Sequence, residues 1–193
     1  SERSIVRTFS PTKEDILAEW AGKNKKALTY GTAIHELLEK VLKSPGGIYF
    51  AKDKRDQKIV DAFNEMNPIT SDRVYPERVL YLENHGVAGT ADVIEDFDEH
   101  FNVWDFKTNK QINFIDKYGK YMLDPVIHLS DCSYNVYALQ LSFYAYMYSR
   151  ETGKKVGRLG ILWLNRETGN FEMFPIPYLK REVEALLMTS KNQ

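Results

Sequence analysis

Two short stretches set acidic residues among small and cationic ones: Gly89-Thr90-Ala91-Asp92, and then Trp104-Asp105-Phe106-Lys107-Thr108. Residues 87–97 and 101–107 are rich in β-branched and aromatic side chains, and Asp98-Glu99 between them suits a two-residue hairpin turn. With that turn, Phe97 pairs with His100 and Asp92 falls opposite Asp105. The strand period of two then puts both carboxylates and Lys107 on one face, with Trp104 and Phe106 on the other. Neighbouring carboxylates repel. A hard divalent cation, Mg²⁺ or Mn²⁺, resolves the conflict, and the Phe106 carbonyl offers another oxygen ligand beside Lys107. The competing reading is a solvated hairpin whose acids and lysine form a weak exposed ion pair. A turn one residue longer would send Asp92 and Asp105 to opposite faces.

Other residues gain weight from this neighbourhood. Gly31-Thr32-Ala33-Ile34-His35 sets a glycine one turn before a histidine at the edge of an apolar helix face. Gly31 would admit another backbone closely, and neutral His35 could give a ring nitrogen to a metal, although a lone helical histidine is more often structural. Glu77, on the strand before the hairpin, could bind a second ion or orient a water; it could equally pair with Arg78 or Arg73. Gln140 and Tyr144 lie four apart on one long helix and share a face. Their amide and phenol can bond a phosphate or a base, yet the same helix carries Tyr134, Tyr137, Phe143, Tyr146 and Tyr148 and also reads as an aromatic core helix. No phosphate-binding G-x-x-x-x-G-K-[ST] loop, G-x-S-x-G elbow or H-E-x-x-H pair occurs. Nothing marks Cys132 as an activated nucleophile.

The elements that must position these residues follow from pattern and punctuation. Ser10-Pro11 opens a short helix to about Trp20, a lysine-rich loop follows, and a second helix runs from Thr32 to Lys43. Its stripe is Ala33, Ile34, Leu37, Leu38, Val41 and Leu42, ended by Ser44-Pro45-Gly46-Gly47. Residues 54–66 read as a helix stopped by Asn67-Pro68. Residues 74–83, 87–97 and 101–107 form three consecutive strands, expected as an antiparallel meander. Residues 108–133 lack a period and read as a long loop with short helical pieces. A helix over 134–151, strands over 158–165 and 170–176, and a helix over 179–188 complete the order. The expectation is a mixed α/β fold, residues 1–193 as a single domain with an insertion at about 108–133.

Composition limits the classes. The 193 residues are 43% hydrophobic and 27% charged with a formal net charge of −1, so no global charge announces a nucleic-acid partner. No apolar run approaches the roughly 18 residues of a membrane span. A single cysteine excludes an internal disulfide and a four-cysteine zinc or iron–sulfur site, and an intracellular, reducing setting is expected. Ser1-Glu2 is not an initiating methionine, which leaves an upstream targeting sequence open. Lysines and arginines cluster at Lys23-Lys25-Lys26, at Lys52-Lys54-Arg55-Lys58 and at Lys107-Lys110 with Lys117 and Lys120. Each reads as a solvated face or, grouped around one site, as a groove that tracks phosphates.

Taken in order, Gly31-x-x-x-His35, Glu77, Gly89-x-x-Asp92, Asp105-Phe106-Lys107 and Gln140-x-x-x-Tyr144 resemble the RecB-like branch of the PD-(D/E)XK nucleases. The match spans most of the chain, and residues 122–140 further look like phage-encoded and mitochondrial genome maintenance-type members. The resemblance implies a restriction-endonuclease-like core: a central mixed sheet flanked by helices, in the order helix, three strands, helix, strand. By it, Asp92, Asp105 and the Phe106 carbonyl bind Mg²⁺ or Mn²⁺, His35 completes the site, and Glu77 is a further candidate ligand. Lys107 positions and helps activate the attacking water, while Gln140 and Tyr144 contact nucleic acid or brace the site. The implied reaction is phosphodiester hydrolysis in DNA, by a single-strand or end-preferring exonuclease in replication, recombination or repair. The alternatives are an endonuclease of the RNA-cutting or cap-snatching type and a catalytically silent binding module. Ala91 stands where the family name has proline. The four cluster-binding cysteines of several relatives are missing, so no iron–sulfur cluster is expected; no helicase motif occurs, so unwinding would need a partner in trans. The implied setting is the cytoplasm of a bacterium or phage-infected cell, or an organelle, without a membrane partner. The insertion would arch over a strand or serve as a structural loop.

Overall fold

The hairpin register sets the frame. In the computed structural model, which describes residues 13–45 and 48–190, β2 (Val87–Asp96) and β3 (His100–Lys107) pair antiparallel with Asp96 opposite Phe101, Ile94 opposite Val103 and Val93 opposite Trp104. The Phe97 N–H closes the turn on the His100 carbonyl at 2.9 Å. β1 (Arg73–Leu82) joins the other edge of β2, also antiparallel, so the expected meander forms. β4 (Lys155–Leu164) runs parallel to β3, and β5 (Phe171–Ile176) pairs antiparallel with β4, giving one five-stranded mixed sheet in the order β1-β2-β3-β4-β5. The parallel step needs a crossover. It is made by α3 (Ser133–Thr152), which Gly153 ends in a left-handed conformation with φ of 74°.

Helices cover both faces of the sheet, as expected for an α/β fold. On one side α1 (Lys13–Lys43) and α2 (Lys54–Met66) bury Ile34, Leu37, Leu38, Val41, Ile59, Val60 and Phe63 against Val93, Trp104, Phe106, Leu162 and Leu164. On the other side α3 sets Ala138, Leu141, Ala145 and Tyr148 against Leu80, Ile94, Phe101, Val103 and Ile161. α4 (Lys180–Ser190) buries Val183 and Leu187, and the Leu179 N–H donates to Ser142 Oγ on α3. Each fully buried leucine or isoleucine contributes about 1.5–3 kcal/mol, and Leu38→Ala would cost about 2–5 kcal/mol by leaving a cavity. Phe101, Val103, Trp104 and Phe106 divide between the faces as the alternation predicts.

Three expectations are corrected. The short helix, lysine-rich loop and second helix are one helix, α1, from Lys13; the expected N-cap Ser10 and Pro11 lie outside the described residues. Lysine, alanine and leucine are good helix formers, so a charged stretch need not be a loop, and the two internal glycines cost about 1 kcal/mol each without breaking it. Thr29 and Thr32 bond their hydroxyls back to the carbonyls of Lys25 and Leu28 at 2.9 and 3.1 Å, within the run read as a loop and just after it. On the stripe, Ala33 is exposed. Residues 108–132 hold no helix, only turns, bends and one antiparallel bridge, Tyr121 to Ser130. Asp116 shows why: its carboxylate accepts from the Tyr118 and Lys120 N–H groups, a local turn that competes with helix. The remaining elements match within a few residues. α2 begins at Lys54 because Asp53 caps the N–H groups of Arg55 and Asp56, and it ends because Asn67 takes a left-handed φ of 44° before Pro68.

One fully buried acid holds the sheet to its flank. Glu95 on β2 accepts from Thr70 N, Thr70 Oγ1 and Ser71 N on one oxygen, and from Asn102 Nδ2 and Trp104 Nε1 on the other. Burial works to raise its pKa, but these five donors outweigh it and hold the carboxyl below its ordinary range. No helix among the described residues is long and apolar enough to cross a membrane.

Candidate metal centre

The first acid is fixed where the β2–β3 ladder stops. Beyond the Val93–Trp104 pair, the Asp92 side chain takes over the pairing: its Oδ2 accepts from the Phe106 N–H at 2.7 Å. The apolar stripe of α1 is anchored on the opposite face of the sheet, so its edge residue His35 reaches around the same strand ends. Its Nε2 lies 2.9 Å from the Phe106 carbonyl and its Nδ1 lies 3.4 Å from Asp92 Oδ2. With the proton on Nε2, the carbonyl is satisfied and Nδ1 turns a lone pair toward a carboxylate oxygen, an arrangement that calls for a cation or a proton between them.

Glu77 supplies the third group. It sits on β1 between the pairs Pro76–Val93 and Arg78–Ala91 and takes a left-handed φ of 51°. For a glutamate in the middle of a strand this conformation costs on the order of 1 kcal/mol or more, and the ladder on either side holds it there. One ligand atom each from His35, Glu77 and Asp92 lies within 4.8 Å of the others. The salt-bridge alternative for Glu77 is not realised: Arg73 pairs with Asp98 and Asp96, and Arg78 pairs with Glu151.

Asp105 lies outside that trio. It is almost fully buried, and its Oδ2 is 2.5 Å from Lys107 Nζ but in no hydrogen bond of good geometry. Lys107 in turn lies over the Tyr137 ring of α3, 4.7 Å from its centroid. The electrostatics are unrelieved. Burial pushes the Asp92 carboxyl up to about 8, the Asp105 charge adds to the effect, and the Phe106 N–H opposes it. Burial likewise raises Glu77. For Lys107, burial favours the neutral form, but the charges of Asp105 and Asp92 outweigh it and hold the ammonium above its usual pKa. Carboxylate oxygens, one imidazole nitrogen, a backbone carbonyl and an unsatisfied buried carboxylate oxygen form a donor set that suits a hard divalent cation.

The glycines serve packing here. A Cβ on Gly89 would lie 2.7 Å from Cε1 of Tyr144, so only glycine lets that ring settle on β2. A Cβ on Gly31 would lie 3.3 Å from Thr108 Oγ1, so the close neighbour is a side chain rather than the expected backbone. Gln140 and Tyr144 do share a face: Gln140 Nε2 donates to the Tyr144 hydroxyl at 2.9 Å. Sequence reasoning gave Tyr137 no role at the site, although it stands three residues before Gln140 and seven before Tyr144, a helical spacing that would have found it. It also missed Arg166, which lines the same cavity of about 670 Å³ with His35, Glu77, Asp92, Lys107 and Tyr137. Nothing in the turn around Arg166 signals that placement.

No family model matches the sequence, and no curated protein matches it closely enough to stand as a relative. Among solved structures, the chain is similar to a candidate exonuclease from Eubacterium rectale, with 11% identity and a TM-score of 0.51 over 84% of this chain. The chain spans 65% of the length of that protein. At that identity the likeness concerns the fold alone: a mixed sheet flanked by helices.

Proposed function

We propose that this chain is a metal-dependent nuclease that hydrolyses phosphodiester bonds in DNA, in the manner of the RecB-like branch of the PD-(D/E)XK nucleases. The observation that carries the reading is the convergence of His35, Glu77 and Asp92 within 4.8 Å, beside a buried Asp105 joined to Lys107. Those residues come from four of the five stretches in the motif order. His35, Asp92 and Glu77 would hold Mg²⁺ or Mn²⁺, with Asp105 and the Phe106 carbonyl completing the oxygen ligands. When bound, the ion supplies charge stabilisation at the phosphoryl oxygens and a more acidic water. Lys107, set between Asp105 and the Tyr137 ring, positions the attacking water and offsets charge on the phosphoryl group. Gln140 braces Tyr144, and Tyr144 keeps β2 and α3 in register behind the acids. Single-stranded or end-containing DNA, and a role in replication, recombination or repair with a helicase in trans, follow from the resemblance.

End-labelled linear and circular DNA, single- and double-stranded, incubated with Mg²⁺, Mn²⁺ or chelator tests this directly. Metal-dependent loss of label from linear strands, abolished in Lys107→Ala and Asp105→Asn with the fold retained by circular dichroism, is expected. Cleavage of circles would move the reading to an endonuclease. Cleavage that survives both substitutions would sink the site assignment.

A further inference from the structure

Two arginines share one tyrosine ring beside the candidate centre. Arg55, in the first turn of α2, lies 4.9 Å from the centroid of Tyr30 on α1, and Arg166, in the turn after β4, lies 4.6 Å from the same centroid. Both arginines are exposed, and neither forms an ion pair among the described residues. Cation–π contact holds each guanidinium in place, but among the described residues only one side-chain hydrogen bond, from Arg166 to Thr108, uses their donors, and two positive charges share one ring. The mirror image of this conflict is the pair of acids across the hairpin: there two negative charges call for a cation, and here two positive charges call for an anion.

Arg166 joins the two places. Its Nη2 donates to Thr108 Oγ1 at 3.3 Å, and Thr108 follows Lys107 and packs on Gly31. Arg166 lines the cavity of the candidate centre and also an adjoining cavity of about 380 Å³ that contains Tyr30, Arg55 and Lys58. The acids of that second cavity, Asp61 and Glu65, lie one to three turns further along α2, and Asp61 accepts from Gln57. Arg55 and Lys58 stand in the N-terminal part of α2, ahead of both acids, and Arg166 is the residue the two cavities share.

We infer that Arg55, Tyr30 and Arg166 form a phosphate clamp, which takes a phosphate of the nucleic-acid strand lying next to the one at the metal centre. Guanidiniums are suited to this task because their planar donors match phosphate oxygens, often in pairs. The inference rests on the nuclease reading and adds a second anchoring point to it. The phosphate could be a bridging diester or a terminal monoester; the chemistry of capture is shared.

The test measures binding apart from cleavage. Fluorescence anisotropy with a labelled oligothymidylate of about 12 nucleotides, in chelator and over a range of NaCl, compares the wild type with Arg55→Gln, Arg166→Gln and, as a charge-matched control on α4, Lys180→Gln. Each arginine variant is expected to weaken Kd about ten-fold and to reduce the slope of log K against log salt by about 0.7, the value for one phosphate contact on a single strand. The control should stay within about two-fold of wild type. Equal losses on 5′-phosphorylated and 5′-hydroxyl strands assign a bridging phosphate, and losses confined to the phosphorylated strand assign a terminal one; either supports the clamp. Unchanged binding in both arginine variants overturns it, even where melting temperatures fall, because the trio is then only a staple between α1, α2 and the turn. A loss in Lys180→Gln as large as theirs also overturns it. Arginine-dependent binding without cleavage under any metal would sink the nuclease reading and leave the clamp, whereas cleavage with arginine-independent binding would do the reverse.

Discussion

Asp92→Asn should make the metal-free protein more stable while destroying its response to metal. The Asp92 carboxyl is held at about 8 in the folded chain against 3.8 for the free group. Between those values the native state keeps a proton that the unfolded state releases, so stability falls as pH rises from about 4 and levels off above 8. Each pH unit of that window is worth about 1.4 kcal/mol, which gives about 4 kcal/mol at pH 7. The side chain retains 13% exposure, and solvent screening brings the expected figure to about 2–4 kcal/mol. Asparagine has nearly the same shape, keeps an oxygen to accept from the Phe106 N–H, and carries no charge to desolvate. The variant should therefore gain about 2–4 kcal/mol in urea unfolding at pH 8 with chelator, or roughly 4–16 °C in Tm for a domain of this size. The advantage should shrink at pH 5 and vanish near pH 4. Saturating Mn²⁺ should raise the Tm of the wild type, since a ligand at about 100 times its Kd adds about 2.7 kcal/mol, but not that of the variant. An Asn variant no more stable than wild type at pH 8, or an advantage equal at pH 5 and pH 8, would refute the claim that this carboxylate is held in frustration.

Two further outcomes test the surroundings of the site. Glu77→Gly removes a side chain from a left-handed φ of 51°, so it should raise stability by about 1 kcal/mol in chelator and weaken Mn²⁺ binding in isothermal calorimetry; destabilisation would show that Glu77 is not strained. Glu95→Gln replaces an acceptor oxygen by an amide NH₂ facing donors already in place, and should cost about 3 kcal/mol in urea unfolding at pH 7. Because the Glu95 pKa is depressed by folding, the wild-type advantage is present above the unfolded value of about 4.5 and fades as pH falls through the folded value; a cost that stayed constant down to pH 2 would contradict this.

Local residue chemistry explains which parts of the molecule were legible. The hairpin register followed from Asp98-Glu99 and the alternation around it, because a two-residue turn leaves no freedom in pairing. The end of α2 followed from Asn67-Pro68 for the same reason, since caps are local chemistry. The unity of α1 was hidden because a lysine-rich stretch is compatible with loop and helix alike, and tertiary contact at Ile34, Leu37 and Leu38 decides between them. Glu95 was illegible as a structural residue, since two of its five donors come from Thr70 and one from Ser71, in a loop far away in sequence. Tyr30, Arg55 and Arg166 are separated by more than a hundred residues end to end and carry no shared spacing, so only the fold brings them together.

The distribution of strain argues for a site rather than an accident. Glu95 shows how this chain treats a buried acid that serves the fold: every lone pair direction is met, and its pKa is lowered. Asp92 and Asp105, on the same two strands, receive the opposite treatment, with one carboxyl raised to about 8 and the other buried against Lys107 with that oxygen in no hydrogen bond of good geometry. Glu77 adds a left-handed backbone within a ladder that is regular on both sides. A chain able to satisfy five donors on one glutamate could satisfy these groups too. Their retention around one cavity, with His35 Nδ1 set against Asp92, is understandable if the missing compensation arrives from solution as a cation, which would satisfy in one step the carboxylates and the imidazole lone pair.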